Sequence, residues 1–219
     1  MHRAHPTHVA AFSLIELLVV LSIIALLIGL LMPALARARQ SARIVQAHAD
    51  LRSIDQSLDL YQQDHERDLP PTHFSCSSGA TFPLPIELGD GGYVSLGPDA
   101  IDEQTPFEDV FAPVPGQSYK FRAPGAAWVN TTTFQPTGSM LWVPDEFPHG
   151  ETDAGRYYDD PDESPIRYAT WSVGPDPASA KFDIPGRLPV PPRYWLRGAG
   201  DTGVITHMLD RHDMIRTSP

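Results

Sequence analysis

Residues 10–36 read AAFSLIELLVVLSIIALLIGLLMPALA. No charge falls between Leu17 and Leu35, and about 19 apolar residues at roughly 1.5 Å each match a hydrocarbon core of about 30 Å. One acid, Glu16, stands at the leading edge of the run. A carboxylate there is costly in lipid and calls for a partner. The residues before it, MHRAHPTHVAA, form a short polar leader with one arginine and three histidines. Pro33 lies near the far end, where its missing N–H and its ring predict a break or kink in the helix.

Beyond the run the period changes. Ala38, Ala42, Val45, Leu51, Ile54, Leu58 and Tyr61 recur every three to four residues with charged residues between them, the pattern of an amphipathic helix continuing to about Arg67. Pro70-Pro71 then stop it. Span and extension together predict one rod of roughly 55 residues, about 80 Å if straight. Three other readings of the apolar run are open. Ala34-Leu35-Ala36 is an A-x-A site of the kind signal peptidase I takes, although the run exceeds the usual signal core of about 7–15 residues. The run could also be an uncleaved signal anchor. A buried core helix fits least, because of Glu16 and the unbroken apolarity.

The 219 residues leave room for one ordinary domain besides this rod. The chain holds 16 Lys+Arg against 27 Asp+Glu, and from Ser53 onward there are 25 acids and 11 bases. A body so acidic is repelled by phosphate backbones, which excludes nucleic acid as its partner. The single cysteine, Cys76, excludes an intrachain disulfide and a cysteine-rich zinc centre. The 23 prolines and 16 glycines fall almost wholly after Leu69 and predict short strands and long loops. The fold class is therefore α+β: a long N-terminal helix followed by an antiparallel β domain. No G-x-S-x-G, phosphate-loop or dinucleotide fingerprint is present, and nothing in the chain marks it as an enzyme.

Ala11-Phe12-Ser13-Leu14-Ile15-Glu16 resembles the type III signal of type IV pilins and of the pseudopilins of type II secretion, usually written G-F-T-L-I-E. The resemblance implies that a prepilin peptidase cuts between Ala11 and Phe12 and methylates the new amine of Phe12. Glu16 then becomes the fifth mature residue, and Pro33 the twenty-second, where pilins commonly carry a helix-kinking proline. Ala11 departs from the usual glycine, and the leader is sparsely basic. The implied organisation is a leader over residues 1–11, a transmembrane and assembly helix over 12–35, an amphipathic extension over 36–69, and a loop-rich antiparallel β domain over 70–219. A segment of about 123–167 has no counterpart in a minimal pseudopilin.

The implied role is that of a structural subunit of a periplasmic pseudopilus, with Glu16 of one copy pairing the amine of the next. Its partners would be prepilin peptidase, copies of itself, other pseudopilins and the inner-membrane assembly platform. It would cross the inner membrane once and hold its body in the periplasm or outside the cell. The positive-inside rule alone gives the opposite orientation, since Arg37, Arg39 and Arg43 follow the span and only Arg3 precedes it. A minor or adhesive pilin displaying a binding domain is the alternative function, and an exported hydrolase with a borrowed anchor is a third.

Residues 51–71 (LRSIDQSLDLYQQDHERDLPP) resemble the pseudopilin helix end, and residues 84–88 with Gly91-Gly92-Tyr93-Val94 resemble the passage leading to its first strand. The alternation in residues 119–122 suits a strand with one buried face. The aromatics Trp128, Phe134, Trp142 and Phe147 predict extra strands or a packed loop, and the acidic run 157–163 reads as a solvated turn or an ion site. Residues 170–185 (TWSVGPDPASAKFDIP) resemble the calcium-binding C-terminal loop of the major pseudopilin. On that resemblance Asp176 and Asp183 would be the carboxylate ligands and Ser179 a further oxygen ligand. Pro177 replaces an expected glycine, and a plain turn after Gly174-Pro175 is the competing reading. In the tail, His207, Asp210, His212 and Asp213 read either as an exposed strand end or as metal ligands.

Overall fold

The apolar and amphipathic stretches join in a single helix, α1, Leu14–Asp64, in a computed structural model that describes residues 13–74, 82–94, 108–113, 115–149, 154–176, 189–198 and 200–219. The chain divides into two units, Met1–Arg39 and Gln40–Pro219, and α1 contributes to both. In the first unit every described side chain is exposed, as expected of a helix with no polar face. Of the break or kink expected at Pro33, no break occurs, for Pro33 lies inside α1. The proline has no N–H to give the Gly29 carbonyl and sets its ring against it, and the leucines, methionine and alanines on either side are strong helix formers that carry the helix through.

Within the second unit α1 buries one stripe, Ala47, Leu51, Ile54, Leu58 and Tyr61, at the spacing that puts them on one face. The helix stops at Asp64, short of the expected Arg67. Glu66 and Arg67 take left-handed backbone angles, φ 53° and 75°, and the Arg67 N–H returns to the Gln62 carbonyl at 2.8 Å. This turn, and not Pro70-Pro71, ends the helix.

Nine strands follow among the described residues. β1 (Thr72–Phe74), β3 (Gly125–Val129) and β4 (Thr133–Ser139) form one sheet in the order β1-β3-β4. β2 (Lys120–Arg122), β7 (Ile166–Ser172), β8 (Ile205–Asp210) and β9 (Ile215–Thr217) form a four-stranded sheet in the order β2-β7-β8-β9. β5 (Leu141–Pro144) pairs with β6 (Gly155–Tyr158). All pairings are antiparallel except β1 with β3. One short helix, α2 (Ile86–Asp90), and a 3-10 turn, Pro192–Tyr194, complete the described elements. The segment 123–167 thus supplies extra strands, β3 to β6, as its aromatics predict.

The four-stranded sheet is covered on both sides. One core joins Leu51, Ile54 and Leu58 of α1 to Phe121, Tyr168 and Ile205; another joins Leu141 and Val143 of β5 to Ala169 and Met208. Two expectations fail for this reason, the second only in part. β2 does not have one solvated face: Lys120 and Phe121 are both buried, because a sheet packed on both faces leaves neither side to water. The tail is an exposed strand end only in part: β8 is internal to the sheet with His207 and Asp210 buried, while His212 and Asp213 stand exposed just past its end.

The turn after β7 is closed by Gly174, at φ +76°, where an added Cβ would lie 1.8 Å from the Gly203 carbonyl oxygen. Gly116 has a similar φ of +83° with open space around it. Gly174→Ala is expected to destabilise the chain in detergent far more than Gly116→Ala, which bears only the left-handed backbone cost of about 1–2 kcal/mol. Equal denaturation midpoints for the two variants would refute the close approach of these loops.

Candidate functional site

The processing motif meets the structure at its second half. Ala11 and Phe12 lie outside the described residues. Ser13 precedes α1, and Glu16 sits in its first turn with the carboxylate accepting the Ser13 N–H at 2.9 Å. That bond caps one of the free N–H groups of the helix start and sets a negative charge at the positive end of the helix dipole. From Leu14 to Leu35 sixteen large apolar side chains stand exposed, each by 45% or more. Their full burial would be worth on the order of 20 kcal/mol or more, and a helix with such a surface needs an apolar partner.

Of the residues expected at a calcium loop, Asp176 is exposed at the end of a described segment, while Ser179 and Asp183 lie outside the described residues. One carboxylate supplies one or two of the six to eight oxygens that calcium takes. Among the described residues no group of three or more His, Cys, Asp or Glu side chains is placed to hold a metal. In the acidic turn Asp159, Asp160, Asp162 and Glu163 are exposed, and Asp160 accepts the Asp162 N–H at 2.8 Å. In the tail the four residues serve different neighbours. Asp210 accepts N–H bonds from His212 and Met214 and pairs with Arg216 at 2.9 Å, while Asp213 pairs with Arg167.

The polar centre of the second unit was not anticipated from sequence. Asp55 of α1 is 4% exposed and faces β7 and β8. Its Oδ2 lies 2.7 Å from His207 Nδ1, and its Oδ1 accepts hydroxyl bonds from Tyr168 at 3.3 Å and Thr170 at 3.4 Å. With its Nδ1 turned to Asp55, His207 directs its other ring nitrogen, Nε2, toward α1. That nitrogen is 3.2 Å from Nδ1 of half-buried His48. Burial pushes the His48 pKa down and the neighbouring His207 adds to the effect, against an opposing main-chain bond at Pro219. The result is a carboxylate–imidazole–imidazole chain leading from the core toward solvent. Only α1 and β8, brought together by the fold, could reveal it.

Two more carboxylates sit at this interface. Asp50 accepts the Tyr119 hydroxyl at 2.7 Å. Asp109 accepts the Ser172 hydroxyl at 2.7 Å and the N–H groups of Val173 and Phe111 at 2.8 and 2.9 Å. Burial raises the pKa of both, partly offset by these hydrogen bonds and, for Asp109, by the charge of Lys120. In both cases the bonds come from groups that also order the sheet. The arrangement ties α1 and the loops to the sheet.

Asp55→Ala strands a buried imidazole and two hydroxyls, and is expected to cost about 3–5 kcal/mol in the denaturation of the full chain. A raised folded-state pKa means that the native chain holds a proton which the unfolded chain has released. The associated stability is present below pH 3.8 and is lost as the pH rises through the folded value. The stability difference between wild type and Asp109→Asn should therefore shift in favour of wild type on acidification through that window; a difference constant with pH would show that Asp109 titrates normally. Comparison of the chain with protein-family models, with curated proteins and with solved structures finds no match in any of the three.

Proposed function

We propose that this chain is a membrane-anchored structural subunit of the pilin class, closest to the pseudopilins of type II secretion, that assembles with copies of itself through α1. The observation that carries this reading is the exposed apolar surface of residues 14–35 with its single acid at the leading end: an 18-residue window of α1 reaches a mean hydropathy of 3.0 and is wholly unburied. A span of this kind alone fits any signal or anchor. The hexapeptide from Ala11 to Glu16 and the position of Pro33 supply the rest, by resemblance.

In this reading cleavage before Phe12 creates a positive amine at the membrane edge. Glu16 of a neighbouring copy neutralises it, and van der Waals packing of the apolar helices builds the filament. Before assembly the Glu16 carboxylate is not idle, since it caps its own helix through Ser13; assembly exchanges that bond for an ion pair. The body, held outside the cytoplasm, would pack in the filament wall, and the work of the protein is mechanical. Catalysis forms no part of it.

Mass spectrometry of the N-terminal peptide tests the processing step. The expected peptide begins at N-methylated Phe12; one beginning at Arg37, or retaining Met1 in cells with an active prepilin peptidase, would overturn the reading. Glu16→Ala should be cleaved normally but lost from sheared filament fractions, since stranding the partner charge costs about 3–5 kcal/mol per contact. Normal incorporation of that variant would remove the pairing step.

A further inference from the structure

His48 and His207 meet across the seam between α1 and β8, 159 positions apart in the chain. His48 Nδ1 and His207 Nε2 lie 3.2 Å apart, and the ring centroids are 5.5 Å apart with the planes tilted by 36°. That centroid distance is about the gap plus the two ring radii, so each nitrogen points along the line to the other. Such a gap holds one hydrogen, given by one nitrogen and accepted by the other. An imidazolium carries an N–H on both ring nitrogens. Two N–H groups aimed at each other across this gap would collide, so the contact is compatible with at most one imidazolium in the pair.

The rings are held in place from behind. His207 is fully buried, with its Nδ1 2.7 Å from Asp55 Oδ2. His48 takes a main-chain bond at Pro219 and follows Ala47, with which the buried stripe of α1 begins. The charged and titratable groups turned to the pair come from two elements. α1 supplies Asp55 and, one turn on from His48, Arg52. β7 supplies the Tyr168 hydroxyl, bonded to Asp55. Burial first, and then the neighbouring His207, push the His48 pKa down; the Pro219 bond opposes them and Arg52 adds to them more weakly.

We propose that the His48–His207 contact is an acid-released latch of α1 on β8, closed while the two rings carry at most one charge and opened by the proton that makes both of them imidazolium. Opening would loosen the helix at the start of its buried stripe. At His48 the native chain refuses a proton that the unfolded chain accepts. The stability this contributes is whole above pH 6.5 and is lost as the pH falls through the lowered folded value. The latch lies wholly within Gln40–Pro219, so its test is independent of processing and filament growth.

The test follows the thermal midpoint of the full chain in detergent micelles from pH 7.5 to pH 4.5. His48→Gln keeps an amide that can bond the His207 nitrogen but cannot become a cation. Over this range the wild-type midpoint is expected to fall relative to that of His48→Gln by at least about 3 °C. His212→Gln, exposed just past β8, should run parallel to wild type. A difference between wild type and His48→Gln that is constant with pH would overturn the proposal. A second measurement needs no variant. In the 15N-labelled chain the N–H···N bond is expected to give a nitrogen–nitrogen coupling between the two rings at pH 7.5 that is gone at pH 4.5. Its absence at pH 7.5, or its persistence at pH 4.5, would equally sink the latch.

Discussion

Asp55 is a carboxylate sealed between a helix and a sheet, and the second unit closes over it only because three donors arrive together. His207, Tyr168 and Thr170 come from two adjacent strands, and the register that pairs Thr170 with His207 places two of them side by side under α1. An unpaired charge in that position would be expelled or neutralised. The same contact fixes how the helix is rotated: with Asp55 directed at β8, Leu51, Ile54 and Leu58 point into the core. Asp50 and Asp109 repeat the device at other edges, so orientation at this interface is set by polar groups and affinity by apolar ones.

A second constraint acts along α1 itself. Up to Leu35 the helix is apolar on all sides and exposed; from Ala47 it is apolar on one side and buried there. A single backbone geometry serves both, because the helix satisfies its own N–H and C=O groups whatever surrounds it. The surroundings are chosen by side chains alone.

That division explains how much could be read from the sequence. Hydropathy and period are local properties, so the apolar run, the amphipathic stripe through Leu51, Ile54 and Leu58, and the strand at Phe121 were all legible. The strands of 123–167 were legible from aromatics. What escaped depends on distant neighbours. Trp171 is buried because Phe82, Tyr194 and Val204 pack against it, which no pattern within β7 records. The His207 and Asp210 cluster read as surface because β8 is flanked by turn residues, yet β7 and β9 enclose it. The helix end was set by two left-handed residues, Glu66 and Arg67, neither of them a glycine, and the proline pair downstream drew attention away from them.

The partners Asp55 and His207 are 152 positions apart. At a synthesis rate of roughly 5–20 residues per second, a ribosome needs on the order of ten seconds or more to deliver the second after the first. Throughout that interval the helix bears an unanswered charge on the edge of its greasy face, and the chain must wait, since closing so long a loop is favoured only when the far strand exists to reward it. The core is thus completed from its last-made strands, and a nascent chain stalled before β8 would leave the helix without its seat.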